Sequence, residues 1–289
     1  MSKLCYVFTL VTFLCSFSEI SAQETVTTGY NPNSIRPVHE SKKMFKKILW
    51  WRMDLKEKQN LPFFSRDGEI SKLIIEAVKS DLLIPYVDDS LNKRMSKEVF
   101  LENLKIPDEG GEGFTPEEIA AGFGQQTEEE EDPFGAFPGG GGGAEEVAVS
   151  DEFPVRDFSL MEIKEEMYFD KLRSRMYHDI QAFTLILPAD KNPALFEKPL
   201  ASFKYKDLVD LFQKMPEDAL WYNTQNFAEH KNFADAFELR LFSANLIKYA
   251  NPQDQRIVEI YDKSRKAGLI ASQQLEYELI EFENELWEY

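Results

Sequence analysis

The chain has 289 residues, 43% of them apolar, and a formal net charge of −18. That length and apolar share allow one or two domains with substantial cores. The acidic balance, with no clustered basic surface, excludes nucleic-acid binding, which needs cations to displace the counterions of phosphates.

Residues 1–22 read as a secretory signal peptide, with Lys3 ahead of an apolar run from Leu4 to Phe17 and a polar stretch after it. The run is too short to span a bilayer, so cleavage between Ala22 and Gln23 is expected. Both cysteines, Cys5 and Cys15, leave with it. The mature chain then has neither disulfides nor thiol chemistry, and its core must suffice. Export without cysteines or Asn-x-Ser/Thr sequons points to a bacterial periplasm.

After a flexible N-terminus at 23–35, a first structured segment is expected over 36–107. Leu49, Trp51, Met53 and Leu55 alternate with Ile48, Trp50, Arg52 and Asp54, which predicts a strand with one apolar face. Arg52 and Asp54 on its other face are spaced to form an ion pair beside Trp50. After a turn at Pro62, Asp67 is placed to cap a helix whose buried stripe is Ile70, Leu73, Ile74, Ala77 and Val78. The pattern beyond Val87 fits either a short strand or a helix.

Residues 108–152 carry fourteen acids and no base, with Glu128 to Glu131 and a glycine run at 139–143, and show no sustained periodicity. They read as a disordered insert. Residues 267–289 hold six more acids and no base, so the rest of the chain sums to +2. The folded body is nearly neutral.

The main segment, 153–268, opens on a β-hairpin. Met161, Ile163, Met167 and Phe169 alternate with polar residues to Asp170, Lys171 to Ser174 form the turn, and a return strand over 175–187 is stopped by Pro188. Helices should follow. Tyr205, Leu208, Val209 and Phe212 mark one that Pro216 ends. Asn232 caps a second, with Phe233, Phe237, Leu241 and Ala244 on its buried stripe. A third carries Ile257, Ile260 and Tyr261 and stops at Gly268. A C-terminal acidic helix at 269–289 carries Leu275, Leu279, Phe282 and Leu286. Its glutamates crowd the helix C-terminus, where the macrodipole disfavours them by ~0.3–1 kcal/mol each. Two readings stay open: a solvated tail held by Phe282, Leu286 and Trp287, or a docking element for a basic neighbour.

The expected class is therefore α+β, a small antiparallel sheet with a long β-hairpin, packed by several helices and interrupted by the acidic, Gly-rich insert. No catalytic, cofactor or metal constellation emerges. His39, His178 and His230 lack metal-ligand spacing, and neither a Gly-x-Ser-x-Gly elbow nor a His-Glu-x-x-His helix occurs. Pairs such as Asp88/Asp89 and Glu165/Glu166 are too common in an acidic chain to nominate a dyad.

Three stretches carry a family likeness. Residues 48–62 (ILWWRMDLKEKQNLP), 163–174 (IKEEMYFDKLRS) and 237–243 (FELRLFS) resemble, in order and spacing, the GldN/PorN family of Bacteroidetes. In that family an Arg, an Asp-Leu pair and an Asn-x-Pro recur, then an Asp-Lys-x-Arg-Ser hairpin turn, then a helix pattern of aromatic, Arg, aromatic and Ser. The resemblance excludes the insert and the glutamate-rich C-terminus. It implies a periplasmic structural subunit of the type IX secretion system, needed for gliding motility where the organism glides. Such a subunit forms a ring with an outer-membrane lipoprotein, GldK or PorK, coupled to an inner-membrane GldL/GldM motor. It implies no active site. Arg52, Asp54, Asp170, Arg173, Arg240 and Phe242 match its pattern, and they are expected to set local geometry or a subunit contact. Trp50, Trp51, Tyr168, Phe169, Trp221 and Tyr222 are candidate partner contacts, since aromatics dominate interface energies, although such residues are more often core. The rival readings are a periplasmic glycan- or protein-binding module and a noncanonical hydrolase.

Overall fold

The computed structural model describes residues 29–106, 152–261 and 264–287. The expected signal peptide and nearly all of the insert lie outside them. Five strands form the main sheet: β1 (Lys43–Asp54), β4 (Leu160–Asp170), β5 (Arg175–Leu187), β6 (Lys198–Lys204) and β9 (Asn245–Tyr249), in the order β6-β5-β4-β1-β9. Two small hairpins are added, β2 (Phe64–Ser65) with β3 (Gly68–Glu69), and β7 (Leu220–Trp221) with β8 (Lys231–Asn232). The helices are α1 (Ile70–Lys79), α2 (Lys97–Leu104), α3 (Tyr205–Lys214), α4 (Phe233–Glu238), α5 (Ile257–Ile260) and α6 (Arg265–Trp287). The chain is α+β with an antiparallel sheet, as its patterning predicts.

Two strands of the main sheet escape the periodicity. β6 pairs antiparallel with β5, and Pro199 sits opposite Ile186 where the register slips. As the outer strand it tolerates a residue without an N–H. Tyr86 covers part of that edge by exchanging backbone hydrogen bonds with Ser202, at 2.8 and 2.9 Å. β9 follows directly on sequence that periodicity assigns to the end of a helix. Asn232 does cap α4, its Oδ1 accepting from the Ala234 N–H, but that helix stops at Glu238 and Arg240 takes a left-handed φ of 52°. Leu241 and Ala244 are thus not on a helical stripe.

Two further expectations are corrected. Asp67 does not cap α1; it lies in the β2–β3 turn at φ 65°, and Glu69 occupies the cap position. Gly268 does not end a helix. α5 is one turn that ends at Ile260, and Gly268 lies inside α6, where an added Cβ would come within 2.5 Å of Val258 Cγ2 and 3.2 Å of its backbone. The glycine is there for close approach rather than for termination.

The residues divide into two compact units, and the division falls within the long strands. Of the described residues, one unit comprises those up to Trp51, Lys164–Gln181 and those from Leu246 onward; the other comprises those within Arg52–Ile163 and Ala182–Asn245. The core of the first is Leu49, Met167, Leu246 and Ile257, with Phe45, Trp51, Met176, Tyr249, Leu275 and Leu279 packed on it. The Ser272 hydroxyl fastens α6 to β9 by donating to the Leu246 carbonyl at 2.7 Å. The core of the second is aromatic. Phe237 is fully buried, with ring centroids of Phe63, Phe183 and Phe242 at 4.8, 4.7 and 5.5 Å.

Candidate functional site

The positions singled out by sequence fall in both units. Trp50, Trp51, Tyr168, Phe169, Asp170 and Arg173 belong to the first unit, and Arg52, Asp54, Trp221, Tyr222, Arg240 and Phe242 to the second.

In the first unit, the C-terminal half of β4 is buried on both faces, so even Glu165 and Glu166 lie inside. Glu165 is met by His178, Nδ1 to Oε1 3.0 Å, which makes that histidine a satisfied sheet residue. Glu166 accepts from Lys43, from Gln181 at 3.0 Å and from Asn31 at 3.2 Å. Lys43 also reaches Glu40 at 3.0 Å and stands 4.7 Å from the Tyr168 ring. Burial works against the Lys43 charge, but the hydrogen bonds and charges of Glu166 and Glu40 outweigh it and raise its pKa. Nothing in the local pattern of β4 signals this cluster, because its cation comes from β1.

Tyr168 is buried and stacks on Tyr177 at 5.7 Å. Burial first, then the nearby Asp179, Asp170 and Glu166, push its phenol up to about 12. Because the folded state keeps this proton to higher pH than the unfolded state, stability should fall between the ordinary tyrosine value near pH 10 and pH 12. The full loss is about 2–3 kcal/mol, since a tenfold change in proton affinity corresponds to about 1.36 kcal/mol. Tyr168→Phe should remove that part of the alkaline decline, as read by denaturant unfolding at stepped pH. An unchanged decline would count against the assignment.

Asp170 is wholly buried and organises the glycine-free turn. Its carboxylate accepts from the Leu172 N–H and from Arg173, both at 2.9 Å, while Ser174 takes a left-handed φ of 50°. Phe169 is a core residue. Trp50 lies between two ammonium groups, Lys248 at 4.5 Å and Lys164 at 5.3 Å from its ring. Trp51 packs on the core.

In the second unit, Arg52 makes no pair with Asp54. Its guanidinium forks onto Glu197 at 2.9 and 2.7 Å and also reaches Glu162 at 2.8 Å. Two planar carboxylates satisfy the fork better than a neighbour on its own strand can. Asp54 instead accepts from the Lys56 N–H at 2.9 Å. Asn60, buried completely, uses both ends of its amide. Nδ2 donates to the carbonyls of Asp54 at 2.7 Å and Ser243 at 2.8 Å, and Oδ1 accepts from the Ser243 N–H at 2.8 Å. Phe242 is core, with the Arg240 guanidinium 5.4 Å from its ring. Trp221 meets Phe63 edge-on at 6.5 Å. Tyr222 is partly exposed and stacks on His230 at 4.8 Å, with the exposed Phe227 ring 5.6 Å away.

A family model described as gliding motility associated protein GldN matches residues 38–288. The chain belongs to the GldN family. No curated protein matches it. In this GldN-family chain the three resembling stretches acquire physical roles. Asn60, from the Asn-x-Pro of the first, pins Ser243, the last residue of the third. Asp170 and Arg173, in the second, lock the hairpin turn. Arg52 ties β1 to Glu162 on β4. These GldN positions build the scaffold. Among the described residues, no group of three or more His, Cys, Asp or Glu could hold a metal ion, and no helix is long and apolar enough to cross a membrane.

Proposed function

We propose that this GldN-family protein is a noncatalytic structural subunit of the type IX secretion and gliding machinery. In this reading it works in the periplasm against the inner side of the outer membrane. There it forms a ring with a lipoprotein of the GldK/PorK type, coupled to the GldL/GldM motor of the inner membrane. The observation that carries the reading is the family match over residues 38–288. The arrangement of the matching polar residues supports it, because Arg52, Asn60 and Asp170 each spend their hydrogen bonds on groups of their own unit. Trp50 and the Tyr222, Phe227 and His230 cluster supply surface aromatics of the kind that anchor interfaces.

An affinity-tagged copy, purified from the native cell envelope after mild crosslinking and analysed by mass spectrometry, tests this. The expected result is stoichiometric recovery of an outer-membrane lipoprotein in particles far larger than the 33.5 kDa chain. Recovery of a lone monomer would overturn it.

A further inference from the structure

α6 has two apolar faces, and among the described residues only one of them is packed against the fold. Leu275 and Leu279 pack on the core of the first unit, and Phe282 meets Phe45 at 4.6 Å. On the opposite side Leu269, Ile270, Tyr277 and Ile280 are 47%, 55%, 69% and 55% exposed. From Ile270 the steps are seven residues to Tyr277 and three to Ile280, with Gln273 and Asn284 in the same register. That is the spacing of a coiled-coil seam.

Glutamates border this seam on both sides. By helical geometry Glu283 falls on one flank and Glu281 and Glu285 on the other, while Glu276 turns to β9, where it accepts from the Leu246 N–H at 3.4 Å, and Glu278 lies near Lys47 of β1. After Lys266 no base occurs. The helix also runs against its own dipole, with Arg265 and Lys266 at the N-terminus and the acids toward the C-terminus.

Charge decides what could cover the seam. A second copy packed in parallel would set glutamate against glutamate along the flanking positions, which is repulsive, and one packed antiparallel would bring only Arg265 and Lys266 to the acidic end, leaving most of the glutamates without a base. An anionic bilayer meets the same repulsion. So does the chain's own stretch 108–152, with fourteen acids and no base. An amphipathic helix with Lys or Arg beside its apolar stripe fits both the seam and its borders, and its charges would also relieve the reversed dipole. We propose that the exposed face of α6 docks such a basic-flanked helix of another protein. The proposal takes from the assembly reading only that partners exist.

The test places a photo-crosslinking amino acid at Tyr277 in the full chain, in the native envelope, and maps the adduct by mass spectrometry. The expected adduct lies on one partner segment with an apolar heptad pattern flanked by Lys or Arg. Ile270→Ser with Ile280→Ser should abolish it. A synthetic peptide of the mapped segment should bind the full chain, and Glu281→Lys with Glu285→Lys should weaken that binding by about tenfold or more. An adduct on a second copy, on lipid or on a segment without bases would overturn the proposal, as would no adduct at all. The same sample separates the two readings. Lipoprotein recovered without a Tyr277 adduct sinks this proposal alone, whereas an adduct on a basic helix without lipoprotein sinks the assembly reading alone.

Discussion

Glu166→Gln should cost the fold about 3 kcal/mol, seen as a lowered urea midpoint with an unchanged m-value. The Glu166 and Lys43 side chains are only 4% and 3% exposed, so the ammonium would be left buried without its main counter-charge. Removing one member of a buried pair costs roughly 3–5 kcal/mol because an uncompensated charge remains. Glu40, still 3.0 Å from Lys43, holds the effect at the lower end. Replacing both members, with Lys43→Met and Glu166→Leu, should recover most of the loss, since the desolvation of two charges disappears with their attraction. A single variant within about 1 kcal/mol of the parent would show that the pair is not the buried interaction its geometry describes. The pH dependence has a definite sign. The pKa of Lys43 is raised in the folded state, so the stability it contributes is complete below the ordinary lysine value of 10.5 and is lost as pH climbs through the raised one.

Asn60→Ala should lower the thermal midpoint by roughly 6–12 °C, corresponding to about 3 kcal/mol in a chain of this size. The alanine would leave the Ser243 N–H and the carbonyls of Asp54 and Ser243 without their amide partner at a fully buried position. Each such orphan costs ~1–3 kcal/mol. Asn60→Asp separates the two ends of the amide. It keeps an acceptor for the Ser243 N–H but turns a carboxylate oxygen toward two carbonyls, and it should be at least as damaging. A shift under about 2 °C for the alanine variant would mean that the 237–243 stretch holds its place without Asn60.

Much of the secondary structure is legible in the sequence because it is governed by neighbours in the chain. The alternation over 161–170, the stop at Pro188 and the stripe of Ile70, Leu73, Ile74, Ala77 and Val78 each identify an element, and β4, β5 and α1 lie there. Asn232 caps α4 as its side chain predicts. The misreadings fall where a local signal has two physical meanings. Leu241 and Ala244 continue a helical spacing from Phe237, yet the left-handed Arg240 breaks the helix and the chain re-enters as β9. Gly268 reads as a helix stop and is a contact surface for Val258.

The candidate residues divide in the same way. Sequence alone determined the α+β class, the long hairpin, the elements just named, and the family motif that brings Arg52, Asn60, Asp170 and Arg173 into view. The tertiary structure decided what those residues touch. Arg52 finds Glu197 across 145 residues of chain instead of Asp54 two residues away, and Asn60 finds Ser243 across 183. Periodicity records which face of an element is apolar, since that depends on spacing within a few residues. A buried charge or amide takes whichever partner the sheet register delivers to it, and register is set by pairing between distant strands.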